Sequence, residues 1–367
     1  MKNLIVIIRW FVGLLFIFSG LIKANDPLGL SYKMQEFFEV WNLSGFHGYT
    51  LALSILMNVF EILAGVAVII GWRMKLFSWL LLLLIIFFSF LTGYALFSGK
   101  IKTCGCFGDC LPLTPAQSFG KDLLLLVLIL IIMGSLSKIH SFFKQGTAIL
   151  ILLVVTITAT AGQFYVLRHL PFIDCLPYKK GNNIVQQMKT PEGAIPDSFA
   201  ILFTYKKAGK EISFDQDHFP ADFDSTYEYE SRADKLVKKG NGLQAKIADF
   251  SLHGQGGADT TAAVFAQKGK YILILAKEIK HTEDWNPQLV KTIQAAKEKQ
   301  IPVILVTADV EKARSLFGNL TIITCDATVL KTAARVNPTF CLMQEATILE
   351  KFSYADADAL IRKINGQ

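Results

Sequence analysis

The sequence predicts a multi-domain protein, an all-α bundle of membrane-spanning helices followed by a soluble α/β domain. Three observations predict it. Hydrophobic residues make up 52 % of the 367 positions and charged residues only 18 %, a lopsided ratio for a soluble protein. Apolar runs dominate from Leu4 to Leu167, whereas charged residues recur every few positions from Lys179 onward. Beyond about residue 246 short buried-strand patterns alternate with helical ones. The net charge of +7 is spread over loops and termini without a basic–aromatic cluster, so nucleic acid is not an expected partner.

A helix needs about 20 mostly apolar residues to cross roughly 30 Å of hydrocarbon. Five segments qualify: Leu4–Ile22, Thr50–Ile70, Leu76–Phe97, Leu123–Leu136 with its flanks, and Thr147–Leu167. The first is read as a retained span, not a signal peptide. Arg9 interrupts it, and no small-x-small cleavage site precedes Lys23. Lys2, the Arg73/Lys75 turn and the Lys138/Lys144 connection fall on one side if the N-terminus is inside. Lys100, Lys102 and Lys121 run against this rule. The loops at 23–49 and 98–121 and the C-terminal half then face outward. The expected location is the inner membrane of a bacterium, with the lipid bilayer as a partner and the C-terminal domain in the periplasm.

The outer loop between the third and fourth spans reads Cys104-Gly-Cys106-Phe-Gly108-Asp109-Cys110. In an oxidising compartment such thiols pair or cycle. Gly105 and Gly108 permit tight turns that bring the sulfurs together. An ionised Asp109 disfavours a thiolate at Cys110, leaving Cys104 and Cys106 as the better attacking pair. A static disulfide pinning the loop is the competing reading. A metal site lacks a fourth ligand within the loop, and none is expected. Cys175, just past the fifth span at the same face, is a bystander, a fourth ligand or a partner thiol.

Two ionisable groups lie within the spans. Glu61 shares a helix face with Asn58 and Gly65, and Arg9 shares one with Gly13, Phe16 and Gly20. A charge at a span centre costs about 2.5–3.5 kcal/mol, so both are expected to face the protein interior. One reading is a structural Arg9–Glu61 pair with glycines allowing close approach, Arg9 also being near enough to the inner end to snorkel. The other is an intramembrane polar pocket beside the cysteine loop.

Several motifs combine into a resemblance. The first span and its exit read Arg9-x3-Gly13-x2-Phe16-x2-Ser19-Gly20-x2-Lys23-x2-Asp26-Pro27. To these add Glu61-x3-Gly65, Cys104-Gly-Cys-Phe-Gly108 and Gly120-Lys121-Asp122. Over residues 1–140 the chain resembles the DoxX/MauE family of redox-associated membrane proteins. The resemblance implies a four-helix core, to which 147–167 adds a fifth span. It also implies electron transfer into a quinone pool or disulfide handling in exported proteins.

Residues 168–245 are expected to be a membrane-proximal linker and hairpin, with Phe199–Tyr205 and Glu211–Phe214 flanking a glycine turn. Residues 246–367 read as strand Lys270–Ala276, helix Pro287–Lys299, strand Ile301–Thr307, helix Val329–Val336, strand pair Phe340–Met343 and Ile348–Phe352, and helix Ala355–Ile364. This order resembles thioredoxin-like domains, with Ile247-Ala-Asp249-Phe-Ser-Leu252 like their opening segment and Val336-Asn-Pro338-Thr-Phe340 like their cis-proline loop. The stretch Ala276–Trp285, where their redox pair follows the first core strand, has no cysteine. His281 there reads as a solvated loop residue, and Cys325 and Cys341 as small buried hydrophobes.

The leading functional expectation is thiol/disulfide exchange at Cys104, Cys106 and Cys110 with an exported thiol protein. A pocket near Glu61 and Arg9 would link them to quinone, and the C-terminal domain would dock the partner. The alternative is a non-enzymatic accessory or assembly factor with a structural disulfide. A transporter fits less well, since no repeated pair of broken helices is visible.

Overall fold

The computed structural model describes residues 2–366 other than Lys102, Cys104, Pro196, Asp197 and Lys239. Six helices build the N-terminal part: α1 (Lys2–Asn25), α2 (Pro27–Val40), α3 (Thr50–Ile70), α4 (Met74–Ser98), α5 (Pro115–Met133) and α6 (Gln145–Arg168). All but α2 are long and apolar enough to cross a membrane. The chain is an integral membrane protein. Many of their large apolar side chains, such as Ile7, Leu56, Leu83 and Leu150, point out of the bundle, as expected where lipid is the solvent.

Two boundaries differ from expectation. The segment after α1 is mostly helical. Pro27 and Gly29 read as loop residues, but Pro27 occupies the first turn of α2, where its missing N–H costs nothing, and Asp26 caps the Gly29 N–H. The fourth span starts at Pro115 on a capping box of Thr114 and Gln117, so Gly120, Lys121 and Asp122 lie inside α5.

α1 and α3 pack antiparallel through their glycines. A Cβ on Gly13 would sit 2.7 Å from the Gly65 carbonyl oxygen, and one on Gly65 would sit 2.6 Å from that of Gly13. Two turns further along α1, Gly20 lies against Ile62. This close approach is the small-residue packing of membrane helices. It fixes a register in which the level of Gly13 meets that of Gly65.

The C-terminal part continues with α7 (Ile184–Met188), β1 (Ser198–Lys207), β2 (Lys210–Asp215), β3 (Glu228–Lys238), α8 (Thr261–Phe265), β4 (Lys270–Ala276), α9 (Thr282–Glu298), β5 (Val303–Thr307), α10 (Val310–Phe317), β6 (Thr321–Thr324), α11 (Ala327–Ala333), β7 (Thr339–Gln344), β8 (Thr347–Ser353) and α12 (Ala357–Ile364). Residues 182–250 form one compact unit; residues 1–181 and 251–367 form the other. The smaller unit is an antiparallel sheet of order β2-β1-β3. Its hairpin pairs Lys207 with Lys210 across the glycine turn.

In the larger unit a five-stranded sheet has the order β6-β5-β4-β7-β8. β4, β5 and β6 are parallel, while β7 and β8 run antiparallel to their neighbours. Its core gathers Ile272, Ile274, Trp285, Leu289, Phe340 and Leu360. The Asn337–Pro338 peptide is cis.

The carboxyl end of this sheet is fastened to the bundle. Arg335, 6 % exposed, donates from Nε to Asp26 Oδ2 at 2.7 Å and from Nη2 to Asp109 Oδ2 at 2.6 Å. Lys277, directly after β4, donates to Tyr32 Oη at 2.9 Å and to the Arg335 carbonyl at 3.1 Å. The segment after α6 is held on both sides: Ile173 exchanges hydrogen bonds with Asn25, and Asp174 pairs with Lys351 at 2.8 Å. Cys175 is disulfide-bonded to Cys110.

Gly65→Ala is expected to separate α1 from α3 and to destabilise the bundle by about 1–3 kcal/mol. Gly146→Ala, whose methyl would meet open space, should leave stability unchanged or slightly raised. Thermal unfolding in detergent, followed by circular dichroism, compares the two.

Candidate functional site

The glycine register brings the end of α1 against the polar face of α3. Glu61, fully buried, forms an ion pair with Lys23, itself 3 % exposed. Ser19 Oγ lies 3.0 Å from Glu61 Oε2 and 3.0 Å from the carbonyl oxygen of Cys106, bridging the pair to the cysteine loop. The Lys23 ammonium also lies 5.0 Å from the centre of the Phe88 ring. A lone buried charge here would be strongly unfavourable, whereas the pair with its added hydrogen bonds is tolerated.

A second pair lies across the same space. On α5, Lys121 binds Asp122, which is fully buried and accepts a hydrogen bond from Thr92 of α4 at 2.9 Å. Lys121 also lies 5.5 Å from the Phe107 ring centre. Between the two pairs is a cavity of about 230 Å³. Ser19, Lys23, Lys33, Thr92, Cys106 and Lys121 form its polar side. Phe37, Phe38, Trp41, Phe87 and Phe88 supply aromatic wall. This is the usual composition of a small-molecule site, an apolar hollow with a few convergent polar groups.

The three loop cysteines have different fates. Cys104 lies outside the described residues. Cys110 is bonded to Cys175 and is not a free thiol beside Cys106; its neighbour Asp109 engages Arg335. Cys106 is free and half-buried at the cavity wall. Burial pushes its thiol up, and Asp122 adds to this, while Lys121, Lys23 and the Ser118 hydroxyl pull it back. The two other free cysteines among the described residues are fully buried, with Cys325 pushed up by burial to about 11 and Cys341 to about 12. Among the described residues Cys106 is therefore the free thiol best placed to react.

Arg9 is not part of this cavity and does not pair with Glu61. It lies toward the other end of α1, donating to the Val68 carbonyl at 3.2 Å and the Ile69 carbonyl at 2.8 Å. There it satisfies carbonyls of the last turn of α3, a favourable place for a cation. Asn58, on the face of Glu61, instead donates to Gln163 of α6 at 3.0 Å. His281 is exposed at the start of α9. Ser19, Lys23, Thr92, Lys121, Asp122 and Arg335 were not singled out from sequence as site residues. Their signal was present for Ser19-Gly20-x2-Lys23 and Lys121-Asp122, which stand in the motifs quoted above.

The arrangement defines a helical membrane protein with a thiol-bearing polar cavity at one end of its bundle. Residues 1–137 match the family described as methylamine utilisation protein MauE. The match covers α1 to α5 and ends before α6. Residues 199–239 match a domain described only as of unknown function. No curated protein and no solved structure matches the chain.

Two outcomes follow from the site. Lys23→Met alone should destabilise the protein by about 3–5 kcal/mol by stranding Glu61, while Lys23→Met with Glu61→Leu recovers most of the loss. Unfolding in detergent with the full double-mutant cycle measures this. For Cys106, alkylation should be slow at neutral pH and accelerate as pH rises, because only the thiolate reacts. Lys121→Met moves that rise to higher pH and Lys121→Arg restores it, as read by mass spectrometry of the labelled peptide in a Cys104→Ser background.

Proposed function

We propose that the protein oxidises thiols of an exported partner through a Cys104/Cys106 pair and passes the electrons to a quinone in the cavity. The observation that carries this reading is the Cys106 thiol on the wall of an aromatic cavity flanked by two buried lysine–carboxylate pairs. Cysteines two positions apart have Cα atoms no more than about 7 Å apart, within reach of a disulfide. In the step, the two S–H bonds break and one S–S bond forms. Two electrons and two protons go to the two carbonyl oxygens of the quinone, which leaves as quinol. The partner's dithiol then regenerates the pair by exchange through a mixed disulfide. Lys23 and Lys121 are placed to donate hydrogen bonds to carbonyl oxygens, and the aromatic wall suits a planar ring.

In this reading the membrane is the bacterial inner membrane, with the cysteine loop and the C-terminal part on the periplasmic side. The wider DoxX/MauE resemblance belongs to the same proposal. The C-terminal sheet is read as thioredoxin-like, supported by its strand order and the loop through Pro338. In open α/β sheets ligands bind at the carboxyl ends of the strands, and here the carboxyl end of β4 carries Lys277 and Glu278 with no cysteine directly after the strand, and it meets α2 and the cysteine loop. Its role is to hold the loop. An exported partner would dock on the C-terminal domain away from that end.

A second reading, an accessory factor without turnover, is favoured by the Cys110–Cys175 bond, which fastens the loop as a static staple would. One experiment separates the two. Full-length protein in proteoliposomes is supplied with a dithiol and a short-chain quinone, and quinone reduction is followed by ultraviolet absorbance. Catalysed reduction that Cys106→Ser abolishes supports the redox reading; no catalysis in folded wild-type protein leaves the accessory role.

A further inference from the structure

The end of the bundle opposite the cysteine loop carries a groove that neither the cavity nor the thiol chemistry uses. It has a volume of about 650 Å³ and lies between the turn joining α3 to α4 and the segment after α5. Arg73 and Lys75 stand on one side of it; Leu76, Trp79, Leu136 and Ile139 form an apolar wall. Leu76 is 48 % exposed and Trp79 51 %, so this wall continues onto the lipid-facing surface of α4.

The charge at this end has one sign. The sequence has no Asp or Glu before Asp26, between Glu61 and Asp109, or between Asp122 and Asp174. Both turns at this end are therefore free of acid. Arg73 and Lys75 are exposed, and neither has a carboxylate partner among the described residues. The Arg73 guanidinium lies 5.5 Å from the Trp72 ring centre, which restrains it without neutralising it. α4 opens beside them with no side-chain cap and no acid in its first turn, adding to the positive potential.

We propose that this groove binds an anionic glycerophospholipid, with its phosphate between Arg73 and Lys75 and an acyl chain along Leu76, Trp79 and Leu136. Cations kept only to orient the helices need no shared groove. Here two unneutralised cations, a tryptophan at their level and an apolar wall running into the lipid meet in one place. Basic pockets between membrane helices take anionic headgroups by this chemistry. A soluble phosphate would leave the wall unused, so a lipid is the occupant.

The test uses full-length protein in nanodiscs of phosphatidylglycerol and phosphatidylcholine mixed equally, followed by native mass spectrometry of the lipids retained on release. Wild-type protein should retain phosphatidylglycerol in preference. Arg73→Gln with Lys75→Gln should lower that preference by about fivefold per cation removed. Lys138→Gln with Lys144→Gln, which removes the same charge outside the groove, should leave it unchanged. Millimolar inorganic phosphate should not displace the lipid. An intact thermal midpoint and the Cys110–Cys175 bond in each variant establish folding. Equal retention of the two lipids, an equal loss from both double variants, or displacement by inorganic phosphate would overturn the proposal. None of these outcomes depends on whether the thiol cavity turns over.

Discussion

The buried Lys23–Glu61 ion pair is the constraint around which the membrane part is arranged. Two charges within a bundle are tolerated only if they meet, so the end of α1 must reach the polar face of α3. The glycine contacts of Gly13, Gly20 and Gly65 make that meeting possible by removing the side chains that would hold the helices apart. Ser19 extends the pair to the Cys106 carbonyl and hangs the cysteine loop from it. Directly after the last residue of α1, Asp26 caps α2 and receives Arg335, so the same helix end positions the cavity wall and the C-terminal part.

The C-terminal sheet is coupled to this arrangement by polar contacts and one covalent bond. Arg335 spans Asp26 and Asp109, Lys277 reaches Tyr32, and Cys175 joins Cys110. Burial lowers the Lys277 ammonium to about 8, helped by the nearby Arg335 charge, and pushes the Tyr32 phenol up to about 12. The phenol, neutral at physiological pH, and the Arg335 carbonyl both accept hydrogen bonds from the Lys277 ammonium, which offsets part of the cost of burying it. The loop carrying Cys106 is consequently anchored from below by Ser19 and from its far end by Arg335 and Cys175.

Much of the architecture was legible in the sequence because long apolar runs admit few interpretations. The five spans, the first hairpin of the smaller sheet and most core strands followed from length and periodicity. β6, with four residues, is too short to declare itself. β3 carries charges along its length and is not marked as a strand by its sequence; its pairing with β1 defines it. The partner of Glu61 was misread for a geometric reason. Arg9 and Lys23 are fourteen positions apart, close to a whole number of turns, so helical phase cannot choose between them. Depth chooses. With Gly13 level with Gly65, Ser19 falls opposite Glu61 and Arg9 falls opposite Ile69. The Cys110–Cys175 pairing crosses 65 positions and two helices, a separation over which sequence alone does not fix connectivity.

That disulfide also acts on how the chain is threaded. The segment it closes contains two candidate spans, α5 and α6, and the bond joins the chain just before the first to the chain just after the second. A chain in which only one of the two had crossed would leave the sulfurs on opposite sides of the bilayer. The bond thus records parity: it closes only on a chain whose last two crossings came as a pair. Once closed, it keeps either helix from withdrawing without the other.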